Sequence, residues 1–267
     1  MICLAKPAIF AGLQTYGKVG VFMPDYCIFW DLKLGADRKH SDFLARLLLN
    51  YKNVSYKTEW VDFPDIKPVL QSCGVESKKI DALGAAIGAQ YTLPTIRLPD
   101  GSFTMDSATI ATLLEEICPN PFVHLDTCLQ ENIQAVLGRI AWALYPELAP
   151  LIRDNLLTEK GKPHWVDARE KLFGMPIDEL HRTKGGKQAW AAAKPDLIQL
   201  RQFVKVYKKD DGPFVLGNKI SYADFLIVSL LMSAKRAGQA LFDGIVGEDE
   251  GLIALWNACQ IWLERDR

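Results

Sequence analysis

The run Leu93-Pro94-Thr95-Ile96-Arg97-Leu98-Pro99-Asp100-Gly101-Ser102-Phe103-Thr104-Met105-Asp106-Ser107 decides the fold. Thr95 to Leu98 and Phe103 to Met105 are strand-forming segments around Pro99-Asp100-Gly101-Ser102, where Asp-Gly supplies a turn, so the run predicts a β-hairpin. Ser107 then opens a helix whose Ile110, Leu113, Leu114 and Ile117 fall on one stripe, and Pro119 and Pro121 end it. The unit reads strand, strand, helix.

Upstream, Tyr26 to Trp30 is apolar and aromatic and reads as a strand, whereas Asp31 to Lys39 carries turn residues and charges. Ser41-Asp42 stands as an N-cap before a helical stripe of Phe43, Leu44, Leu47, Leu48 and Tyr51. Val54, Tyr56, Thr58 and Trp60 alternate with Ser55, Lys57 and Glu59, the pattern of a strand with one buried face. A Gly- and Ala-rich segment, 82–89, connects this strand, helix, strand unit to the hairpin. The combined order, βαβ followed by ββα, is the thioredoxin-like plan, in which a hairpin closes a mixed sheet begun by a parallel unit.

Beyond Pro121 strand signals nearly vanish. Leu129, Ile133, Val136, Leu137, Ile140 and Leu144 mark a long amphipathic helix. Residues 159–188, rich in Lys, Gly and Pro, read as a long insertion between helices with a short helical piece inside. Ser221-Tyr222-Ala223-Asp224 has the form of a capping box, with Ile220 and Phe225 at the staple positions, and opens an apolar helix to Met232. Leu252, Leu255, Trp256, Cys259, Trp262 and Leu263 supply a last amphipathic helix. The expected organisation is an extension over residues 1–25, a thioredoxin-like α+β domain over 26–120 and an all-α domain over 121–267. Ala8 to Leu13 is too short for a secretory signal core, so residues 1–25 read as an extension of unknown structure.

The 267 residues carry 31 basic and 32 acidic side chains, and the near balance argues against a nucleic-acid footprint. The longest apolar run, Phe225 to Met232, is far short of the roughly 20 residues that cross a bilayer. The six cysteines show no metal-ligand spacing and suit a reducing, cytoplasmic compartment.

The chemistry-bearing residues cluster around the hairpin. A cis peptide at Leu93-Pro94 would expose the backbone N–H and C=O of Leu93 for strand-like pairing with a peptide ligand; the alternative is an ordinary strand-initiating proline. Asp106-Ser107, at a helix N-terminus, suits an anion on Ser107 and an ammonium on Asp106, and equally suits simple N-capping.

From about Tyr26 to Arg265 the chain resembles the glutathione transferases, and within them the fungal etherase-like, FuA-type proteins. The resemblance is carried by Arg46 to Lys52, Tyr56 to Ile66, Leu93 to Ser107, Ala168 to Pro176 and Ser221 to Phe225. It implies glutathione as cofactor, bound by Leu93, Pro94, Asp106 and Ser107 of the thioredoxin-like domain. It also implies an apolar pocket in the helical domain and a homodimer. In that family a serine hydroxyl before the first helix donates to the glutathione sulfur. This sequence departs there: in Asp37-Arg38-Lys39-His40-Ser41-Asp42-Phe43, Lys39 rather than Ser41 aligns with that serine. Ser41, donating a hydrogen bond, and Lys39, stabilising the thiolate by charge, are both candidates for lowering a thiol pKa of about 8.5.

Trp142, Tyr145, Trp165 and Phe173 are the aromatic candidates for the second substrate, and the segment from Glu159 to Lys187 is placed to cover them. His124, His164 and His181 read as surface or loop residues. The expected activity is thiolate attack on a hydrophobic electrophile, giving conjugation, ether cleavage or double-bond isomerisation, in fungal secondary metabolism or detoxification. The alternative is a non-catalytic binding protein that keeps the fold and the pocket.

Overall fold

The computed structural model describes residues 27–35, 43–80 and 90–263. Strand β1 (Cys27–Leu32) leads to helix α1 (Phe43–Tyr51) and then to β2 (Tyr56–Val61). A single turn of 3-10 helix (Phe63–Asp65) and α2 (Ile66–Ser72) come next, before the hairpin β3 (Thr95–Arg97) and β4 (Phe103–Met105) and helix α3 (Ser107–Ile117). The sheet order is β2-β1-β3-β4, with β1 parallel to β2 and antiparallel to β3, as the strand order in the sequence implies. Gly101 takes φ +90° in the turn, a conformation open to glycine at little cost.

The remainder is helical: α4 (Leu129–Ala143), α5 (Tyr145–Asn155), α6 (Lys162–Phe173), α7 (Ile177–Lys184), α8 (Lys187–Val206), α9 (Tyr222–Ala237), α10 (Gln239–Val246) and α11 (Glu250–Leu263). The fold is therefore a thioredoxin-like α+β unit followed by an all-α unit. Among the described residues no single helix is long and apolar enough to cross a membrane.

Two readings need correction. Residues 159–188 are not an insertion: they form α6, α7 and the start of α8. Their glycines and prolines punctuate short helices, with Pro163 in the first turn of α6 and Gly174 closing it in the left-handed conformation at φ +68°. Asp31, read as part of a loop, lies in β1 and is fully buried. The Ser41-Asp42 cap, the segment 82–89 and the extension 1–25 lie outside the described residues.

Helix α1 is the centre of the packing. Every residue from Phe43 to Asn50 is buried, because the helix faces the sheet on one side and α3, α9 and α11 around the rest. Its one arginine, Arg46, is 2% exposed and meets Asp31 Oδ2 at 3.0 Å. The guanidinium stacks over Phe29, Tyr56 and Trp60 and donates to the Tyr56 hydroxyl at 3.2 Å. Tyr56 donates in turn to Asn50 Oδ1 (3.0 Å), and Asn50 Nδ2 donates to the Trp262 carbonyl of α11 (2.7 Å). At the other end of α1, the buried Lys52 Nζ donates to the carbonyls of Cys118 and Pro121 at 2.7 and 3.0 Å. It thereby ties α1 to the segment joining the two units.

The capping box forms as its sequence indicates. Ser221 N and Oγ each donate to Asp224 Oδ2 at 2.7 Å, and Val215 N donates to Oδ1 at 2.7 Å. Burial pushes the Asp224 carboxyl up to about 6 against these donors.

Removing one member of the Asp31–Arg46 pair strands a buried charge. Asp31→Ala is expected to lose about 3–5 kcal/mol in urea denaturation, whereas the double variant Asp31→Leu/Arg46→Met recovers most of that loss.

Candidate functional site

The site lies at the edge of the sheet where β1 ends and β3 begins, since Trp30 pairs with Thr95 and Thr95 with Met105. The Leu93–Pro94 peptide is cis, as the sequence position suggests. The Pro94 carbonyl accepts from Asp106 N at 3.1 Å, which draws the start of α3 against this turn. Thr95 Oγ1 donates to the Thr92 carbonyl at 3.0 Å and steadies the other side of the turn. Among the described residues the backbone N–H and C=O of Leu93 make no hydrogen bond.

Asp106 caps α3. Its Oδ1 accepts from Ala108 N (3.0 Å) and Thr109 N (3.4 Å), and its backbone sits at φ +87°. Outside glycine such an angle is uncommon, and Asp tolerates it better than most residues. Its Oδ2 accepts from Lys78 Nζ at 2.9 Å. Burial raises the Asp106 pKa, but Lys78 and the two backbone donors outweigh it, so the carboxyl lies below its ordinary range. The N-capping alternative for Asp106 is therefore met, and a cation already occupies its second oxygen. Ser107 is the first residue of α3 and half-buried, and its carbonyl accepts from the Tyr222 hydroxyl of α9 at 3.3 Å. Its hydroxyl makes no hydrogen bond among the described residues. Ala108 N, Thr109 N and Ile110 N are all taken up by Asp106, so what this terminus offers an anion among the described residues is the Ser107 N–H and hydroxyl, beside the Lys78 ammonium. Sequence reading missed Lys78, which stands in a short basic pair with nothing local to mark it.

Next to this edge opens a cavity of about 240 Å³ lined by Leu32, Leu34, Phe43, Phe63, Leu148, Ile152, Leu156, Leu157, Trp165, Arg169, Ser233 and Arg236. One wall is built by an antiparallel bridge between Leu34 and Leu157 and by Gly35 N donating to the Leu156 carbonyl at 2.8 Å. A Cβ on Gly35 would stand 2.7 Å from the Leu157 carbonyl oxygen, so only glycine admits this approach. A second seam runs from the end of β2. Thr158 Oγ1 donates to Asp62 Oδ1 at 2.7 Å, and Lys160 pairs with Asp65.

Of the aromatic candidates, Trp165 is buried and lines the cavity. Trp142, Tyr145 and Phe173 stand beside it as a stacked cluster, with Trp142 61% exposed and ring centroids of Trp142–Phe173 and Tyr145–Phe173 at 5.2 and 4.9 Å. Tyr145 reaches the wall through its hydroxyl, which accepts from Arg169 Nε at 2.9 Å. Lys39 and Ser41 lie outside the described residues; Gly35 and Phe43, on either side of their segment, border the cavity wall. His164 and His181 are exposed, and His124 is half-buried against Phe122.

Fold and site together define a two-part protein in which a thioredoxin-like sheet and a helical unit share one cleft. Residues 45–117 match the family model "Glutathione S-transferase, N-terminal domain", and residues 129–256 match "Glutathione S-transferase, C-terminal domain". The glutathione S-transferase-like protein ustS of Aspergillus flavus is 30% identical over 235 residues, 82% of each chain. A glutathione S-transferase of Ceriporiopsis subvermispora, CsGST63524, solved in complex with glutathione, superposes with a TM-score of 0.79 at 25% identity, over 91% of this chain and 99% of that one. Glutathione transferase GSTFuA3 of Phanerochaete chrysosporium shares the fold at a TM-score of 0.78 and 20% identity, over 91% and 99%. The chain belongs to the glutathione S-transferase family.

The lowered pKa of Asp106 gives its pairing a definite pH signature. A carboxyl whose folded pKa is below its unfolded value of about 3.9 adds stability above that pH and loses it as pH falls through the folded pKa. Asp106→Asn is expected to flatten the drop in thermal stability on acidification below about pH 4. An unchanged acid limb would show that Asp106 takes no part in it.

Proposed function

We propose that the protein is a glutathione-dependent transferase acting on a hydrophobic electrophile. The observation that carries this reading is the convergence, on one sheet edge beside an apolar cavity, of the open Leu93 backbone, the N-terminus of α3 at Ser107 and the Lys78 ammonium. An extended peptide pairs with a backbone N–H and C=O in strand fashion, and its carboxylate suits a helix N-terminus and a lysine. Glutathione has both features, and its thiol would then lie toward the mouth of the cavity. Residues 26–120 would bind the cofactor and residues 121–267 would supply most of the cavity wall. Cys27, Cys73, Cys118 and Cys259 are free thiols, which supports a reducing, cytoplasmic setting. The reading includes the homodimer, checked by sedimentation.

The reaction proposed is attack of the thiolate on an electrophilic carbon, forming a C–S bond. Expulsion of a leaving group gives conjugation or ether cleavage, and reversal of the addition after rotation gives isomerisation. Ser41 or Lys39 would hold the thiolate, each within the segment whose flanks border the cavity. A second reading, binding without catalysis, draws on the departure from the family's serine motif.

Calorimetric titration with glutathione, at a pH that keeps its thiol protonated, tests the cofactor site. Binding is expected, with an affinity lowered about 10-fold in Lys78→Met, as suits the loss of a charge-assisted hydrogen bond. No binding at millimolar glutathione would sink the reading. The ultraviolet absorbance of the bound thiolate, followed against pH in Ser41→Ala and Lys39→Met, is expected to shift to higher pH in whichever variant has lost the activating group. An unperturbed thiol pKa in the unmodified protein would favour binding without catalysis.

A further inference from the structure

The cavity is apolar but not neutral. Leu32, Leu34, Phe43, Ile152 and Trp165 form its walls, and the charged side chains among its lining are Arg169 and Arg236, with no acidic residue. Arg46, Arg139 and Arg153 each face an aspartate. Arg169 has no ion pair among the described residues: its Nε donates to the neutral Tyr145 hydroxyl, and its guanidinium lies 5.0 Å from the Trp165 ring centroid and 5.9 Å from that of Phe63. These contacts hold the group between a hydroxyl and two rings, and its two terminal nitrogens make no hydrogen bond among the described residues. A half-buried cation kept in place by neutral groups, in an apolar wall, is a preorganised receptor for an anion.

We propose that the cavity takes an apolar molecule bearing a carboxylate, and that Arg169 is the residue that recognises the charge. The apolar body packs on Leu32, Leu34, Phe43 and Trp165, while the carboxylate accepts from the terminal nitrogens of Arg169. Tyr145 is a positioning residue, acting through its hydrogen bond to Arg169. The carboxylates of glutathione have a separate anchor at Lys78 and the start of α3. The inference rests on reading the cavity as the second-substrate site, and it deepens that reading by naming the substrate's charge.

The test compares naphthalene-2-carboxylate with the neutral naphthalene-2-carboxamide by calorimetry on the full chain. The unmodified protein is expected to bind the carboxylate about 10-fold more tightly than the amide, the size of one charge-assisted contact. That ratio is expected to collapse towards one in Arg169→Gln, to survive in part in Arg169→Lys, and to fall in Tyr145→Phe with amide binding unchanged. The Tyr145 variant serves alone if Arg169→Gln does not fold. Equal binding of the two probes by the unmodified protein, no binding of either at millimolar concentration, or a ratio that persists in the variants would overturn the proposal. Glutathione is titrated into the same samples. A matching loss of glutathione affinity in Arg169→Gln would assign Arg169 to the cofactor and overturn the proposal as well. A full charge preference without any glutathione binding would sustain the anion site while sinking the enzymatic reading.

Discussion

The buried Asp31–Arg46 pair and the hydrogen bonds that continue from it constrain how the two units meet. Asp31 on the central strand and Arg46 on α1 are both sealed from water, and an unmatched charge there would cost several kcal/mol. The hydrogen bonds do not stop at the pair. They continue through Tyr56 of β2 and Asn50 of α1 to the Trp262 carbonyl in the last helix. Sheet, first helix and C-terminal helix therefore satisfy one another's polar groups, and none of them can be displaced without orphaning a buried donor or acceptor. The consequence for the site is direct, because the end of β1 and the start of α1 hold Leu34 and Phe43 in the cavity wall.

The site also depends on the helical unit at a second point. The Tyr222 hydroxyl reaches from α9 to the Ser107 carbonyl, and Tyr222 N donates to the Val123 carbonyl at 2.7 Å. Tyr222 is the first residue of a helix whose start is fixed by the Ser221–Asp224 capping box. A local motif in the C-terminal half thus positions an anion-favouring helix N-terminus in the N-terminal half. The Lys52 ammonium does the same for the linking segment, gathering carbonyls from both sides of it.

What the sequence disclosed was local chemistry, and what it concealed was contact through space. The hairpin was legible because Asp-Gly and alternating β-formers specify it within a dozen residues, and the capping box because its four residues sit side by side. Residues 159–188 misled because glycine and proline mark helix ends as readily as loops. The buried stripe of α6, essentially Trp165 and Ala168, is too sparse to show a period. Asp31 looked like a loop residue because its partner, Arg46, stands on the next helix in sequence and meets it, at 3.0 Å, only in the fold. Lys78 and Arg169 had no signal for the same reason. Among the aromatic candidates, hydrophobicity could not separate Trp165, which turns into the cavity, from Trp142, Tyr145 and Phe173, which satisfy one another by stacking.

The cations at the cleft differ in how they are held, and in the proposed reading that difference divides the labour of recognition. Lys78 is shared with Asp106, and Ser107 N is the one early N–H of α3 left unbonded among the described residues, so in the proposed reading the two act together on an anion at the sheet edge. The backbone part of that recognition survives most side-chain change, which suits a cofactor whose structure does not vary. Arg169 is held instead by an aromatic hydroxyl and two rings, none of which neutralises it. The selectivity proposed for it lies wholly in side chains: replacing Arg169, or loosening Tyr145, would retune the cavity without touching the sheet edge. On that reading substrate range can drift while the cofactor site stays fixed, because the two kinds of recognition are built from different parts of the chain.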